Sequence, residues 1–329
     1  ARPMRAIVLE EKGGPEVLRL REVPDPVPGP EEVLVDLVTT SVNRADLLQR
    51  MGLYPGPLAE HEIPGLEFAG RVAAVGERVT DRVVGDEVMG ITNGGGYAER
   101  LAIHERQTMI VPPALGLAAA GAFAEVSITA WDALVRQGRL TAGRWALVHA
   151  GASGVGTAAI QIAKLLGARI AVTASAGKHT RCESLGADVV IDYAEEDFVE
   201  AVQSATGGVG VDVVLDVIGG DYLPRNVAAV RQDGRIIQVG VMGGGPVPFA
   251  VGSLLMKRAT ITGTTLRARP LEEKIAITRE FGAQLLPAVA DGALSPVVDR
   301  RYPLADVADA HERMAANANA GKLVLDIGV

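Results

Sequence analysis

The stretch Trp145-Ala-Leu-Val-His-Ala-Gly-Ala-Ser-Gly-Val-Gly-Thr-Ala-Ala-Ile-Gln-Ile-Ala-Lys164 decides the fold. It opens as an apolar strand (Ala146, Leu147, Val148) and turns through Gly151-Ala-Ser-Gly-Val-Gly156. It continues as a helix whose apolar face, Val155, Ala158, Ala159, Ile162 and Leu166, follows the 3.6-residue period. A second apolar strand, Arg169-Ile-Ala-Val-Thr173, closes the unit. Strand, glycine turn, helix and strand within about 30 residues is the pattern of a dinucleotide-binding βαβ unit. Its glycines let backbone approach a pyrophosphate, and the helix N-terminus offers free N–H groups and a partial positive charge. Ser153 stands where the full G-x-G-x-x-G pattern has its second glycine. A glycine turn alone also reads as an ordinary helix start; the flanking strand and helix decide for a nucleotide loop. Gly151, Ala152, Ser153, Gly154 and Val155 are the expected loop contacts.

The chain around this unit has 329 residues, 48% of them apolar, enough for two domains with separate cores. No uninterrupted apolar run reaches the ~18 residues of a membrane span. The start, Ala1-Arg-Pro-Met4, lacks the charged and apolar regions of a secretory signal. These features lead us to expect a soluble cytoplasmic protein with no membrane partner. A net charge of -8 and a pI near 5.3 disfavour a nucleic-acid surface. The single cysteine, Cys182, rules out an internal disulfide and a multi-cysteine zinc site.

Residues 4 to 110 read as short strands with turns between them, suggesting a compact barrel-like sandwich interrupted by a helical segment at Asn43 to Met51. Tyr97 to Ile103 is among the expected strands. Alanine-rich helices occupy Ala114 to Gln137, and strands then alternate with helices as far as Val239. Near-continuous apolar strands in such an alternation indicate a parallel sheet covered on both faces. A β-rich run at 259 to 265, a helix at Leu271 to Val289 and a strand at Lys322 to Ile327 follow. The expected fold class is α/β: a Rossmann-type doubly wound parallel sheet at 126–265, set into a β-rich catalytic domain formed by 1–125 and 266–329.

The end of the second strand distinguishes the cofactor. An NAD site presents Asp or Glu about 20 residues past the first glycine, to hold the ribose 2′-OH. That place falls near Thr173, in Thr173-Ala-Ser-Ala-Gly177, where there is no acid. Ser175 can hydrogen-bond instead, and Lys178 brings positive charge to where a 2′-phosphate would sit; a carboxylate would repel that phosphate. The expected cofactor is NADPH. Lys178 also reads as a solvated helix lysine.

Ser41-Val-Asn-Arg-Ala-Asp46, Gly52-Leu-Tyr-Pro55, Pro64-Gly-Leu-Glu-Phe-Ala-Gly70, Gly85-Asp86, the 150–156 turn and Gly321-Lys322-Leu-Val-Leu325 occur in this order. Together they resemble the zinc-independent medium-chain dehydrogenases/reductases, in the NADPH:quinone oxidoreductase (zeta-crystallin-like) branch. The resemblance implies a GroES-like catalytic domain beside the Rossmann domain. It also implies reduction of a small-molecule quinone or other electron-poor acceptor, and a homodimer or homotetramer. It supports Ser175, Lys178 and Tyr193 as adenosine-phosphate contacts, and places Val239, Gly240 and Val241 by the nicotinamide or ribose. Leu266 and Arg267 match the nicotinamide end, Thr129 lies in the linker helix, and Lys322 is associated with the phosphates. Tyr193 also reads as an edge-packing aromatic, and Arg267 and Lys322 equally as surface charges.

Zinc-dependent relatives carry Gly-His-Glu where this chain has Gly65-Leu66-Glu67, and no cysteine lies in the first 125 residues. Leu66 cannot ligate a metal, His61 and His104 have no partner at ligand spacing, and Glu67 reads as a structural carboxylate. The expected metal complement is none. Hydride transfer to a quinone does not oblige a metal, because the quinol anion is stabilised by its own ring; stacking, exclusion of water and an oxyanion donor suffice. The catalytic candidates are Asn43, whose amide can donate to substrate oxygen or ribose, and Tyr54, which can stack and donate. The residues alone read equally as a helix cap and a hydrophobic filler. Two other activities fit the same features: reduction of the C=C bond of an enone or 2-alkenal, and NADPH-linked redox sensing with little turnover. The apolar run Pro246 to Val251, with Ala259 to Thr262, is the expected edge toward a second copy.

Overall fold

The computed structural model describes residues 3–56 and 59–328. The elements begin with β1 (Pro3–Leu9), β2 (Leu18–Pro24), β3 (Glu32–Ser41), α1 (Arg44–Arg50), β4 (Glu67–Val75), β5 (Glu87–Ile91), β6 (Arg100–His104) and β7 (Thr108–Ile110). Two helices, α2 (Leu117–Ala120) and α3 (Ala124–Trp131), lead into β8 (Trp145–Val148), α4 (Gly154–Leu165), β9 (Arg169–Ala174), α5 (His179–Ser184), β10 (Val189–Asp192) and α6 (Phe198–Ala205). Then come β11 (Val211–Asp216), α7 (Tyr222–Ala229), β12 (Val230–Gln238), α8 (Val251–Lys257) and β13 (Thr260–Gly263). The last are α9 (Leu271–Ala290), β14 (Val298–Pro303), α10 (Val307–Ala315) and β15 (Lys322–Asp326).

Two compact units result: Ala1–Val126 with Arg267–Val329, and Ser127–Leu266. The second carries a parallel sheet in the order β10-β9-β8-β11-β12-β13. From β8 the chain winds outward in one direction through β9 and β10, then returns to the other side for β11 to β13. This is the doubly wound Rossmann order, and it puts a ligand crevice at the carboxyl end of β8, where the winding reverses. Leu147, Ala171, Ile191, Val214 and Ile236, one from each of five adjacent strands, are all fully buried in one core. On α4, Ala158, Ala159 and Ile162 are buried as the period requires, while Val155 and Leu166 are only half-buried. Burial of a side chain such as Ile162 contributes roughly 1.5–3 kcal/mol.

The first unit is the β-rich one. Its main sheet runs β14-β15-β3-β4-β5-β7, with β6 also paired to β3, and β1 and β2 form a separate antiparallel hairpin. Val33, Val35, Phe68, Val72, Val88, Leu323 and Leu325 fill its core. The expected strand from Tyr97 begins only at Arg100. Tyr97 bonds instead to Pro64 and Ile7, and Ala98 bridges to Ala6, so these two residues belong to the junction with the hairpin. The run Pro246 to Val251 forms no edge strand. It is irregular through Ala250, since Pro246 and Pro248 have no N–H for a ladder, and Val251 begins α8. Among the described residues, no helix is long and apolar enough to cross a membrane.

Candidate functional site

The loop after β8 is built by close packing. Its first residues are His149 and Ala150, the latter in the left-handed region at φ 57°. Gly151 N–H then donates to Thr173 O at 2.8 Å. A Cβ on Gly151 would lie 2.5 Å from the Val172 side chain, and one on Gly156 only 2.3 Å from the Ala150 carbonyl oxygen. Ser153 is the N-cap of α4, its Oγ accepting from Gly156 N–H at 3.0 Å. The first-turn N–H groups of Gly154 and Val155 have no intrahelical acceptor, which leaves them for an anion. The Ser153 oxygen, expected to face the phosphates, is therefore already used as an acceptor; the hydroxyl can still donate.

Thr173 is buried, and its side chain serves the loop. Its Oγ1 accepts from Ala150 N–H (3.2 Å) and lies 3.0 Å from His149 Nδ1. His149 Nε2 lies 2.7 Å from Asn226 Oδ1, and Asn226 Nδ2 donates to Asp216 Oδ2 (3.0 Å). With the Asn226 amide fixed by Asp216, its oxygen must accept from His149 Nε2–H, leaving Nδ1 to accept the Thr173 hydroxyl proton. Burial holds the His149 imidazole below its ordinary pKa, consistent with that neutral tautomer. Thr173 was expected to contact the cofactor; its hydroxyl proton is spent on His149, and its oxygen already accepts from Ala150 N–H. His149 lies within the stretch that decides the fold, yet its position in the sequence gave no sign of this role.

Ser175 and Tyr193 come to one end of the sheet. Ala174 and Asp192 are register partners on β9 and β10, and each candidate is the next residue along its strand direction. Ser175 caps and Lys178 ends a single helical turn, joined by Lys178 N–H to Ser175 O at 2.9 Å, and both are half-buried. Tyr193 is 54% exposed, so its ring is not an edge filler of a closed core. Val239 and Gly240 follow β12, with Val239 N–H held by Asp216 O at 2.8 Å, and Val241 is exposed. Thr129 on α3 and Leu266 are half-buried.

In the first unit a buried polar cluster replaces two expectations. Lys322 is neither a surface charge nor a phosphate ligand. It is 2% exposed, and its Nζ has three internal acceptors: Val42 O (3.2 Å), Asn43 Oδ1 (2.9 Å) and Glu67 Oε1 (3.0 Å). An ammonium has three protons, so none is left for a phosphate. Glu67 also accepts from the Ser41 hydroxyl, from Asn43 Nδ2 (3.0 Å) and from Glu125 N–H (2.9 Å). Asn43 is the N-cap residue of α1, with its N–H bonded to Asp46 Oδ2 at 2.8 Å, and its amide spans Glu67 and Lys322. One amide N–H remains for a substrate.

Arg267 is also buried rather than on the surface. It bonds Asn93 Oδ1 (3.1 Å) and Gln49 Oε1 (3.2 Å), with the Tyr54 ring 5.1 Å from its Cζ. Burial raises the Tyr54 phenol above its ordinary pKa, so it is a donor at neutral pH. Glu125, which carried no sequence signal, is pushed up to about 8 by burial and then by the Glu67 charge. Among the described residues, no group of three or more His, Cys, Asp and Glu side chains could hold a metal ion.

Residues 29–139 match the alcohol dehydrogenase GroES-like domain family, and residues 154–285 the zinc-binding dehydrogenase family. The chain is 34% identical over 328 residues to a quinone oxidoreductase of Lama guanicoe, covering 98% of both. It is 31% identical over 338 residues to the human synaptic vesicle membrane protein VAT-1 homolog, covering 98% of this chain and 86% of that protein. A mycobacterial protein solved in complex with NADPH superposes with a TM-score of 0.89 at 32% identity, covering 98% of this chain and all of that one (100%).

Proposed function

Because the chain belongs to the medium-chain dehydrogenase/reductase family, of the quinone oxidoreductase type, we propose that it transfers hydride from NADPH to quinones without a catalytic metal. The observation that carries this is the occupancy of Glu67. Both its oxygens are engaged, by Ser41, Asn43, Lys322 and the Glu125 N–H, and Leu66 beside it cannot ligate. With a lysine as counter-ion at this carboxylate, the acceptor must carry its own means of delocalising charge, as a quinone does.

The residues that would hold the cofactor fit it. The glycine positions exclude a Cβ, the first-turn amides of Gly154 and Val155 suit the pyrophosphate, and Ser175, Lys178 and Tyr193 suit the 2′-phosphate end. Val239 to Val241, Thr129 and Leu266 complete the assignment by resemblance. When bound, NADPH supplies the hydride. The Tyr54 phenol and the free amide N–H of Asn43 are donors for the oxyanion that develops on the acceptor. Glu125, protonated up to about pH 8, is a proton source within the same unit. That carboxyl also favours a second reading, reduction of an enone or 2-alkenal, because an enolate needs a proton placed on carbon. The edge of β13, unpaired among the described residues, with Val251, Leu255 and Met256 exposed on α8, supports assembly with a second copy. The proposed setting is the cytoplasm.

Steady-state assays with NADPH and NADH against a quinone panel and a 2-alkenal panel test the proposal. Quinones should oxidise NADPH, and Lys178→Ala should weaken NADPH by roughly 1–3 kcal/mol, about five- to 150-fold, while leaving NADH little changed. Turnover of alkenals alone sinks the quinone reading. Tight NADPH binding with no acceptor in either panel points to a sensor.

A further inference from the structure

We propose that the acceptor carries a carboxylate, and that Arg267 and Lys274 of the first unit bind it. Arg267 is 7% exposed and is held in place without being neutralised. Its two hydrogen-bonded partners, Asn93 Oδ1 and Gln49 Oε1, are uncharged amide oxygens. Gln49 is itself oriented from behind: its Nε2 donates to Glu62 Oε1 (3.0 Å), which also pairs with Lys12 (2.6 Å). The remaining arm of the guanidinium, Nη2, is buried with no hydrogen-bond partner. A buried unpaired donor on a charged group is costly, and a rigid fork with one arm unfilled suits a carboxylate oxygen.

Lys274, on α9, is the second cation. It is 5% exposed, its Nζ makes no hydrogen bond or ion pair among the described residues, and it senses the charges of both Glu125 and Arg267. Burial draws its ammonium below the ordinary lysine pKa, an effect the Glu125 charge opposes and the Arg267 charge reinforces. Thr278 lies one turn further along the same face of α9, and its buried hydroxyl oxygen also has no partner. Glu125, the acid nearest in effect to Lys274, stays protonated up to about pH 8 and so leaves the local charge positive. Two buried cations without a carboxylate partner therefore share one neighbourhood with Tyr54, which is half-exposed against Arg267. A flat conjugated acid would set its ring at Tyr54 and its carboxylate on Arg267 Nη2 and Lys274.

The term acceptor rests on the reductase reading; the anion site is tested by binding alone. The probes are naphthalene-2-carboxylate and naphthalene-2-carboxamide, which share a shape, differ in charge and cannot be reduced by hydride. Dissociation constants are measured by calorimetry on the full chain, with and without saturating NADPH. The carboxylate should bind at least tenfold tighter than the amide, with NADPH present. That ratio should fall to near one in Lys274→Met, and Arg267→Lys, which keeps charge but loses the fork, should weaken the carboxylate at least fivefold. Circular dichroism confirms that both variants are folded. A wild-type ratio below two, or a ratio unchanged in both variants, overturns the site. Displacement of the carboxylate by NADPH overturns it too, because Arg267 then serves the cofactor. A preserved ratio in a protein that reduces neither quinones nor alkenals would uphold the site and reject the reductase reading.

Discussion

Lys322→Met is the sharpest test of the first unit. Methionine keeps most of the side chain's length and removes its charge, leaving Glu67 fully buried with Ser41, Asn43 and one backbone N–H as its remaining partners. At the observed 3.0 Å, an effective dielectric of about 20 gives a Coulomb attraction of about 5.5 kcal/mol. Breaking a buried pair by removing one member costs about 3–5 kcal/mol, because the survivor is left uncompensated. For a unit of this size that corresponds to a fall in Tm of roughly 6–20 °C. Urea unfolding followed by far-UV circular dichroism measures the loss. The double variant Glu67→Gln/Lys322→Met removes the stranded charge and should recover more than half of it. A single-variant loss below about 1 kcal/mol would refute the reasoning, since that is what an exposed lysine yields. No recovery in the double variant would assign the loss to packing instead.

Two further predictions follow from the loop and from Glu125. Gly156→Ala should abolish NADPH binding, measured by the cofactor's fluorescence, because its Cβ would meet the Ala150 carbonyl oxygen at 2.3 Å; unchanged affinity would show that the loop shifts freely. Glu125 has a folded pKa raised from 4.5 to about 8, so its stabilising protonation is complete below 4.5 and is lost as pH rises through 8. Between pH 7 and 9 the wild type should lose about 1 kcal/mol of stability that Glu125→Gln does not lose; parallel urea midpoints across that range for the two proteins would contradict the assignment.

The parallel sheet and its loop were legible in the sequence because they follow local rules. Apolar runs have strand length, glycines fall where chain meets chain, and α4 keeps its period. Asn43 was legible as a cap for the same reason. Lys322 was not, since its acceptor on Asn43 lies 279 positions away and nothing around it marks burial. Glu125 and Lys274 look like ordinary helix charges until the fold brings Glu67 and Arg267 beside them. Thr173 sat at the right place for a ligand contact, but burial turned its hydroxyl inward toward His149. β14 has no clear strand signal in the sequence because Val298-Asp-Arg-Arg-Tyr-Pro303 alternates poorly; it is a charged edge strand, tolerable because among the described residues only β15 pairs with it.

The ion pair between Lys322 and Glu67 also sets a schedule for biogenesis. The first unit needs residues on both sides of the second, and the amine that neutralises its buried carboxylate is translated only after the whole of the second. At roughly 5–20 residues per second, a ribosome takes on the order of 10–40 s to travel from residue 126 to residue 322. During that interval the parallel-sheet unit gains its last strand only when β13 (Thr260–Gly263) is made, and throughout it the amino-terminal β-structure must keep Glu67 hydrated or expose it to chaperones. A stall late in the message would therefore yield a chain whose nucleotide loop is complete and whose first unit remains open.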